Sequence, residues 1–295
     1  MKNKGKIDII TFKAILTRDV KQGGTRKMRI DIHTHAFPDK IAERTVEKLK
    51  GEIIKIQQGK YIPKNCHNGT LAGLERAMDE SGVSKSFVMP IATTVTQSGT
   101  INDFAEGIRN EKMISFGSVH PMQEDVLSVI ENLKERDFKG IKLHPEFQQF
   151  YIDSERSVEI LKKCEELEMY VLIHAGADIG LPPPVHCTPK MLKNALSHFE
   201  GKYLIAAHMG GFMMWEEVYE LLCGTPILMD TAFISEFIPK KLCLDIIRKH
   251  GAEKILFGSD SPWEKPSDTL EFIESIGLTE DELEKIKYKN AERLF

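Results

Sequence analysis

In Arg29-Ile-Asp-Ile-His-Thr-His35 an alternating, β-branched run ends in two histidines two residues apart. Such a run is a strand, and because residues i and i+2 of a strand share a face, His33 and His35 can point at one spot. Outward from this stretch the same pattern recurs. Gly140-Ile-Lys-Leu-His144, Tyr170-Val-Leu-Ile-His174, Tyr203-Leu-Ile-Ala-Ala-His208 and Ile255-Leu-Phe-Gly-Ser-Asp260 are short apolar runs, each closed by a residue that can bind a metal or move a proton. With three further runs they make eight strand candidates: 29–33, 85–90, 114–119, 139–143, 170–174, 203–207, 227–231 and 255–259. From the second onward, successive starts lie about 24 to 33 residues apart, the length of one βα unit. The intervening segments Val126–Arg136, Val158–Glu168, Thr188–Phe199 and Lys240–His250 carry apolar residues at i, i+3 and i+4, the spacing of a helix that buries one face.

Eight strand-then-helix units predict an α/β fold, a (β/α)8 TIM barrel, with the site at the C-terminal ends of the strands. An open doubly wound sheet would show similar strands. It would also carry a glycine-rich phosphate turn after the first strand, where this chain has His33-Thr34-His35. Gly51–Asn68 has weak periodicity and is expected to be an excursion over the barrel mouth. Near the C-terminus, Thr279 and Glu282 form a capping-box pair that should open a last helix running to about Arg293.

The 295 residues contain 41% hydrophobic and 28% charged side chains, ordinary for a soluble protein, and a formal charge of −4 argues against nucleic acid or an anionic membrane as partner. A small-molecule substrate is expected, with a homodimer possible. Five cysteines without a CxxC pair point to a reducing, cytoplasmic setting rather than a disulfide framework. No apolar run reaches the length of a membrane span, and the basic N-terminus lacks an apolar signal region. Residues 1–27 hold eight Lys/Arg against two Asp/Glu, leaving 32 basic and 42 acidic residues in the rest. Gln22-Gly-Gly-Thr-Arg-Lys-Met28 also reads as a translated ribosome-binding stretch before a start codon. The expectation is therefore that translation begins at Met28, that 1–27 is an extension outside the fold, and that 28–295 is the barrel domain.

Asp31-Ile-His-Thr-His35, Ile173-His174, Ala207-His208-Met-Gly-Gly211 and Phe257-Gly-Ser-Asp-Ser-Pro-Trp263, in that order on strands one, five, six and eight, resemble the amidohydrolase superfamily. They are similar in particular to its amidohydrolase-related (amidohydrolase 2) branch, which includes aminocarboxymuconate semialdehyde decarboxylase-like enzymes. The resemblance spans 29–295 and includes the closing Asn290-Ala-Glu-Arg-Leu-Phe295. A bare HxH is weak evidence, since polymerase and histidinol phosphatase-type barrels open the same way, but four motifs in order are specific. The resemblance and coordination chemistry together imply His33, His35, His174 and Asp260 as ligands of one divalent metal, Zn²⁺ in the first place, with Mn²⁺ or another ion acceptable. His208 and Asp260 are then the catalytic proton carriers.

Lys142 and His144 share one face at the end of the fourth strand. Lys142 could bind a substrate carboxylate, carry a bridging carbamate as in binuclear relatives, or sit in a structural ion pair, and His144 would line the pocket. Trp263, Phe147, Phe150 and Phe233 could line a pocket for a planar substrate, although core packing explains aromatics at strand ends almost as well. His120 reads as a satisfied histidine of the pocket floor, His67 and His186 as solvent-facing residues of lid loops that could touch substrate, and His198 and His250 as surface positions. Cys187 has no neighbour in sequence that would activate it as a nucleophile. The expected function is a metal-dependent hydrolase of a lactone, amide or similar carbonyl compound. The alternative is a nonoxidative decarboxylase (a carboxy-lyase) acting on an unsaturated or aromatic acid at the same metal site. A non-catalytic metal-binding protein ranks third, because His208 and Asp260 together exceed what metal storage requires.

Overall fold

The computed structural model describes residues 28–295, and the expectation for 1–27 lies outside the described residues. Eight parallel strands follow one another around a barrel: β1 (Ile30–Thr34), β2 (Lys85–Val88), β3 (Met113–Ser115, resumed at Gly117–Ser118), β4 (Gly140–Leu143), β5 (Tyr170–Ile173), β6 (Leu204–Ala206), β7 (Leu228–Asp230) and β8 (Ile255–Leu256). Each strand pairs in parallel with the next. β3 changes partner at Phe116, so that its first half pairs with β2 and its second with β4. Closure comes from backbone bonds between β1 and the segment after β8, where the Ile32 N–H donates to Phe257 O (2.9 Å), the Asp260 N–H to His33 O (2.8 Å) and the His35 N–H to Ser261 O (2.6 Å). The fold is the (β/α)8 barrel expected from the strand rhythm.

The strands are short and buried on both sides, so they read as continuous apolar runs whose alternate residues enter different cores. In β5, Tyr170 and Leu172 join the inner core, whereas Val171 and Ile173 face the helices. Ile32, Phe87, Phe116, Ile205, Ala207 and Leu256 are among the other residues of the inner layer. Its base is plugged by Phe295, whose ring lies 4.6 Å from Phe87, 5.8 Å from Phe116 and 4.9 Å from Tyr170, contacts worth about 0.5–1.5 kcal/mol each beyond area burial. The final segment is delivered there by Asn290, whose side-chain amide donates to Ala252 O and Ile255 O, both at 2.7 Å.

The capping box at Thr279 and Glu282 is present and opens the last helix, which passes through a π-helical turn at Lys285–Lys289 before Asn290–Leu294. That turn offers Ile286 O to the Phe257 N–H of the β8 extension (2.9 Å). Two expectations need correction. The helix after β1 runs Ala42–Ile56, so the excursion begins later than Gly51; Val46, Leu49 and Ile53 keep helical spacing, and Lys48 pairs with Glu52 across one turn at 3.8 Å. His250 is not a surface residue but 2% exposed. At the end of its helix it folds under, with Nε2–H donating to Ile227 O (2.8 Å) and Nδ1 accepting from the Gly224 N–H (3.3 Å).

Candidate active site

A register shift between Asp31 and Thr34 marks a bulge in β1. Bulges re-aim side chains, and this one brings His33 into the barrel mouth directly after the inward Ile32. Thr34 turns the other way and donates its Oγ1–H to Phe87 O (2.9 Å), so His33 and His35 share the mouth, their ring centroids 5.3 Å apart. Beneath them the fully buried Asp31 accepts from Ser259 Oγ (2.6 Å), the Ser259 N–H (3.0 Å) and the His33 N–H (3.2 Å). It thereby fixes β1 against the segment that carries Asp260. Burial lifts its carboxyl to about 7, against the pull of these three donors.

The ring tautomers follow from the acceptors on the outer side. A carbonyl oxygen can only accept, so His35 Nδ1–H donates to Met89 O (2.8 Å) and His208 Nδ1–H to Ala232 O (2.8 Å). His33 Nδ1–H donates to Asp230 Oδ2 (2.8 Å). Each of the three rings is left with Nε2 aimed inward, that of His35 toward Asp260, that of His33 toward Lys142 Nζ and that of His208 toward His174. His35 Nε2 stands 2.9 Å and His33 Nε2 3.4 Å from Asp260 Oδ1. Two ligands on a tetrahedral ion with bonds of about 2.0–2.1 Å stand roughly 3.3–3.4 Å apart. The ligand atoms of His33, His35 and Asp260 all lie within 4.8 Å of one another, and these three residues can hold a divalent metal.

His174 enters differently. Its Nε2–H donates to Ala177 O (3.2 Å), and its Nδ1 faces His208 Nε2 at 3.0 Å. Two ring nitrogens so close share a proton or a cation. His174 also stacks on His144, centroids 4.2 Å apart and planes within 15°. With His144 and Asp178 it makes a second group of potential ligand atoms within 4.8 Å of one another. Three of the four expected ligands therefore stand around one point, and His174 adjoins them through His208.

Burial, the larger effect, and the Lys142 ammonium hold His33 well below its ordinary pKa; burial likewise keeps His174 and His144 neutral. Burial would raise the Asp260 carboxyl, but the surrounding rings of His33, His35 and His208 outweigh it and draw the group down to about 2. Lys142, 1% exposed, donates from Nζ to His33 Nε2 (3.0 Å). Burial lowers its ammonium to about 8, while Asp260, Asp230 and Asp178 keep it from falling further.

The backbone is left-handed at His208 (φ 57°), Met209 (φ 55°), Phe233 (φ 54°) and Asp260 (φ 64°), conformations that non-glycine residues adopt at a cost of order 1–3 kcal/mol. The cavity above this cluster is lined by Lys142, His144, Phe147, Phe233 and Trp263, while Phe150 is packed in the core. His120 is buried but does not line the cavity; its Nδ1 accepts from the Met122 N–H (3.2 Å). His67 donates from Nε2 to Ser261 Oγ (3.0 Å), since its Nδ1 already accepts from the Gly69 N–H. His186 lies against Glu146, its N–H donating to Oε1 (2.8 Å), and His198 is exposed. Cys187 is fully buried, and burial pushes its thiol well above the usual value.

Sequence reasoning missed two acidic residues. Asp230 anchors His33 and also accepts from the backbone N–H groups of His208 (2.8 Å) and Ala232 (3.0 Å). Asp178 lies 3.4 Å from His144 Nε2. Asp230 was detectable, because Leu228-Met-Asp230 repeats the pattern of an apolar run closed by a ligating residue. Asp178 lies in the irregular segment beyond β5, where no periodicity marks it.

A family model described as Amidohydrolase matches residues 30–295. A search among curated proteins gives no match. Among solved structures, a TIM-barrel protein from Bordetella bronchiseptica is similar with a TM-score of 0.71 and 16% identity, over 90% of this chain and 98% of that one. A dihydroxybenzoic acid decarboxylase from a Polaromonas species, solved with bound manganese and the inhibitor 2-nitroresorcinol, gives 0.63 and 16% over 91% and 96%. A probable 2-pyrone-4,6-dicarboxylic acid hydrolase from Acinetobacter baumannii, solved with citric acid, gives 0.60 and 16% over 90% and 98%. At such identities the likeness shows the fold.

Proposed function

This chain belongs to the amidohydrolase family, and from that premise we propose that it is a metal-dependent hydrolase of a lactone, amide or similar carbonyl compound. The observation that carries the reading is the convergence of ring nitrogens. His33, His35 and His208 are each anchored through Nδ1, to Asp230, Met89 and Ala232, and keep Nε2 for the buried ground around Asp260. In this reading His33, His35 and Asp260, with His174 as fourth ligand, hold Zn²⁺; Mn²⁺ is the alternative, supported by its presence in the Polaromonas decarboxylase. Bound there, a divalent ion supplies Lewis acidity, which polarises a carbonyl oxygen and acidifies water.

The remaining work belongs to the side chains. His208 takes a proton from the attacking water at Nε2 and returns it to the leaving group, a role worth about 10²–10⁴ in rate. Asp260 stays ionised at neutral pH and can accept a water proton while remaining a ligand. Lys142 shares its ammonium with the same His33 lone pair that a metal would need. With that lone pair committed, the ammonium requires another acceptor, and a substrate oxygen entering from the cavity supplies one. His144 and Trp263 form the walls beside this oxygen.

A nonoxidative decarboxylase is the second reading, favoured by the likeness to the Polaromonas enzyme and by a buried ammonium able to receive a carboxylate. Isotopes separate the two. Metal-loaded protein is offered lactones, amides and aromatic acids in H₂¹⁸O and in D₂O. Hydrolysis puts ¹⁸O into a product carboxyl group; decarboxylation releases CO₂ and puts deuterium on carbon. Carbon deuteration with no ¹⁸O uptake overturns the hydrolytic reading, and no turnover of any substrate in either solvent counts against both.

A further inference from the structure

The cavity that begins at His33, His35 and Asp260 continues outward as one space of about 580 Å³, inside the range of about 300–1,000 Å³ that holds drug-sized ligands. Away from the metal end its walls are mostly apolar, with Thr45, Thr93, Thr96, Gln97 and Thr100 as uncharged polar residues among them. Leu49 and Ile53 come from the helix Ala42–Ile56, and Ile101 and Phe104 from the helix Ser98–Gly107. Leu49, Ile101 and Phe104 are only partly buried, so each keeps apolar surface that the protein itself does not cover.

Charge is distributed as unevenly as polarity. Among the described lining residues Lys142 is the one Lys or Arg, and Glu52 is the one ionisable side chain outside the cluster of histidines, Lys142, Asp178 and Asp260. The apolar wall reaches the surface at Ile41, a lining residue that is 39% exposed. A ligand with a second anionic group would have to lay it on this wall with no cation to receive it, an arrangement that costs several-fold to many-fold in affinity. An uncharged apolar body gains from the same wall.

Resting on the catalytic reading above, we infer that the substrate is an amphiphile: one carbonyl or carboxyl head at the metal end, joined to an uncharged apolar body larger than a single ring that runs between the two helices. The polar cluster recognises the head, and length selectivity comes from Leu49, Ile53, Ile101 and Phe104.

The test is calorimetric titration of the metal-loaded, full-length protein with hexanoate, octanoate, decanoate and dodecanoate below their micellar concentrations. Each methylene buried should tighten binding about fourfold, until the cavity is filled. Ile101→Gln on one helix and Leu49→Gln on the other should each flatten this dependence, their melting curves reporting that they are folded. Affinity independent of chain length overturns the inference, as does a dicarboxylate that binds as tightly as the monocarboxylate of equal length. Turnover is read separately on a lactone series of growing tail. A chain-length dependence of carboxylate binding without turnover counts against the hydrolytic reading and leaves this inference standing, whereas turnover with no length dependence does the reverse.

Discussion

Replacing Asp230 by Asn tests whether a residue that touches neither metal nor substrate sets the coordinating tautomer. The carboxylate uses both oxygens: Oδ1 accepts from the N–H groups of His208 (2.8 Å) and Ala232 (3.0 Å), and Oδ2 from His33 Nδ1 (2.8 Å). Burial raises its pKa, opposed by His208, the two backbone donors and Lys142. An asparagine has one oxygen for these three donors. If that oxygen stays with the two backbone groups, the amide NH₂ faces His33 Nδ1, and the ring moves its proton to Nε2, where the lone pair for a metal would lie. Coordination then requires the proton back on Nδ1 against an NH₂ group. It sacrifices a hydrogen bond to a charged acceptor, about 1.5–3 kcal/mol, or a loss of about 10- to 100-fold in metal affinity. Competition with a chelator of known affinity measures this, with the melting temperature as control for folding. Wild-type metal affinity in a folded Asp230→Asn protein with an unchanged melting temperature refutes the tautomer argument. The opposite flip, with the amide oxygen toward His33, would keep metal affinity but orphan two buried N–H groups and lower the melting temperature.

Alanine at His33 or Asp260 should abolish metal retention, whereas His208→Ala should retain the ion and lose about 10²–10⁴ in turnover; metal analysis of the purified variants decides, and a metal-free His208→Ala protein would make His208 a ligand. Gly176→Ala should lower the melting temperature by roughly 4–8 °C, a loss of at least about 2 kcal/mol, because φ is +85° and the new Cβ would lie 2.1 Å from Phe212 N; an unchanged melting curve contradicts it. Glu264, 7% exposed and raised to about 7 chiefly by burial, against the opposing bond from Thr269 Oγ1, keeps its proton in the folded protein where the unfolded chain has lost it. Its contribution is full below the unfolded value and fades as pH rises from about 4.5 through about 7. Glu264→Gln, which imitates the protonated form, should therefore gain stability over wild type as pH rises from 5 to 8, by up to about 3 kcal/mol, and melting curves that stay parallel across that range would refute the assignment.

The barrel and most of the site were legible because the chemistry sits where one strand after another ends. His33, His35, His144, His174, His208 and Asp260 lie at the ends of apolar runs, with Lys142 one strand period before His144, and closure of the sheet brings those ends to one mouth. Strand alternation also puts His33 and His35 on one side, but it does not explain why both follow the inward Ile32 into the cavity. The bulge between Asp31 and Thr34 does, and no residue in Asp-Ile-His-Thr announces it. Asp230 stayed hidden for a different reason: its partner His33 lies 197 positions away, and a carboxylate at a strand end reads equally well as a ligand, a cap or an ion-pair partner until the contact is seen. His250 misled because helical spacing identifies a face but not the turn of chain, Gly224 to Ile227, that covers the last residue.

The left-handed backbone at His208 and Asp260 links fold to chemistry. In an extended strand successive side chains alternate, so a strand that ends inside the barrel presents one inward residue for every two. At β6, Ile205 and Ala207 occupy the inner core, and an uninterrupted strand would send His208 toward the helices. The turn at φ 57° brings it back, so that Nε2 meets His174 while its own N–H is held by Asp230. Asp260 is redirected in the same way at φ 64°, with its N–H bonded to His33 O and its carboxylate against His35 and His33. Each turn stores of order 1–3 kcal/mol, and each is held through its N–H by the neighbouring strand, His208 by the Asp230 carboxylate and Asp260 by His33 O. Two of the four left-handed residues at the mouth are thus those proposed to move protons, while His33 and His35 are aimed by a bulge. At His208 this gives a reason for expecting metal retention and turnover to separate on mutation: relaxing its left-handed turn would swing a proton carrier away while leaving His33, His35 and Asp260 where they stand, whereas relaxing the turn at Asp260 would cost a ligand as well.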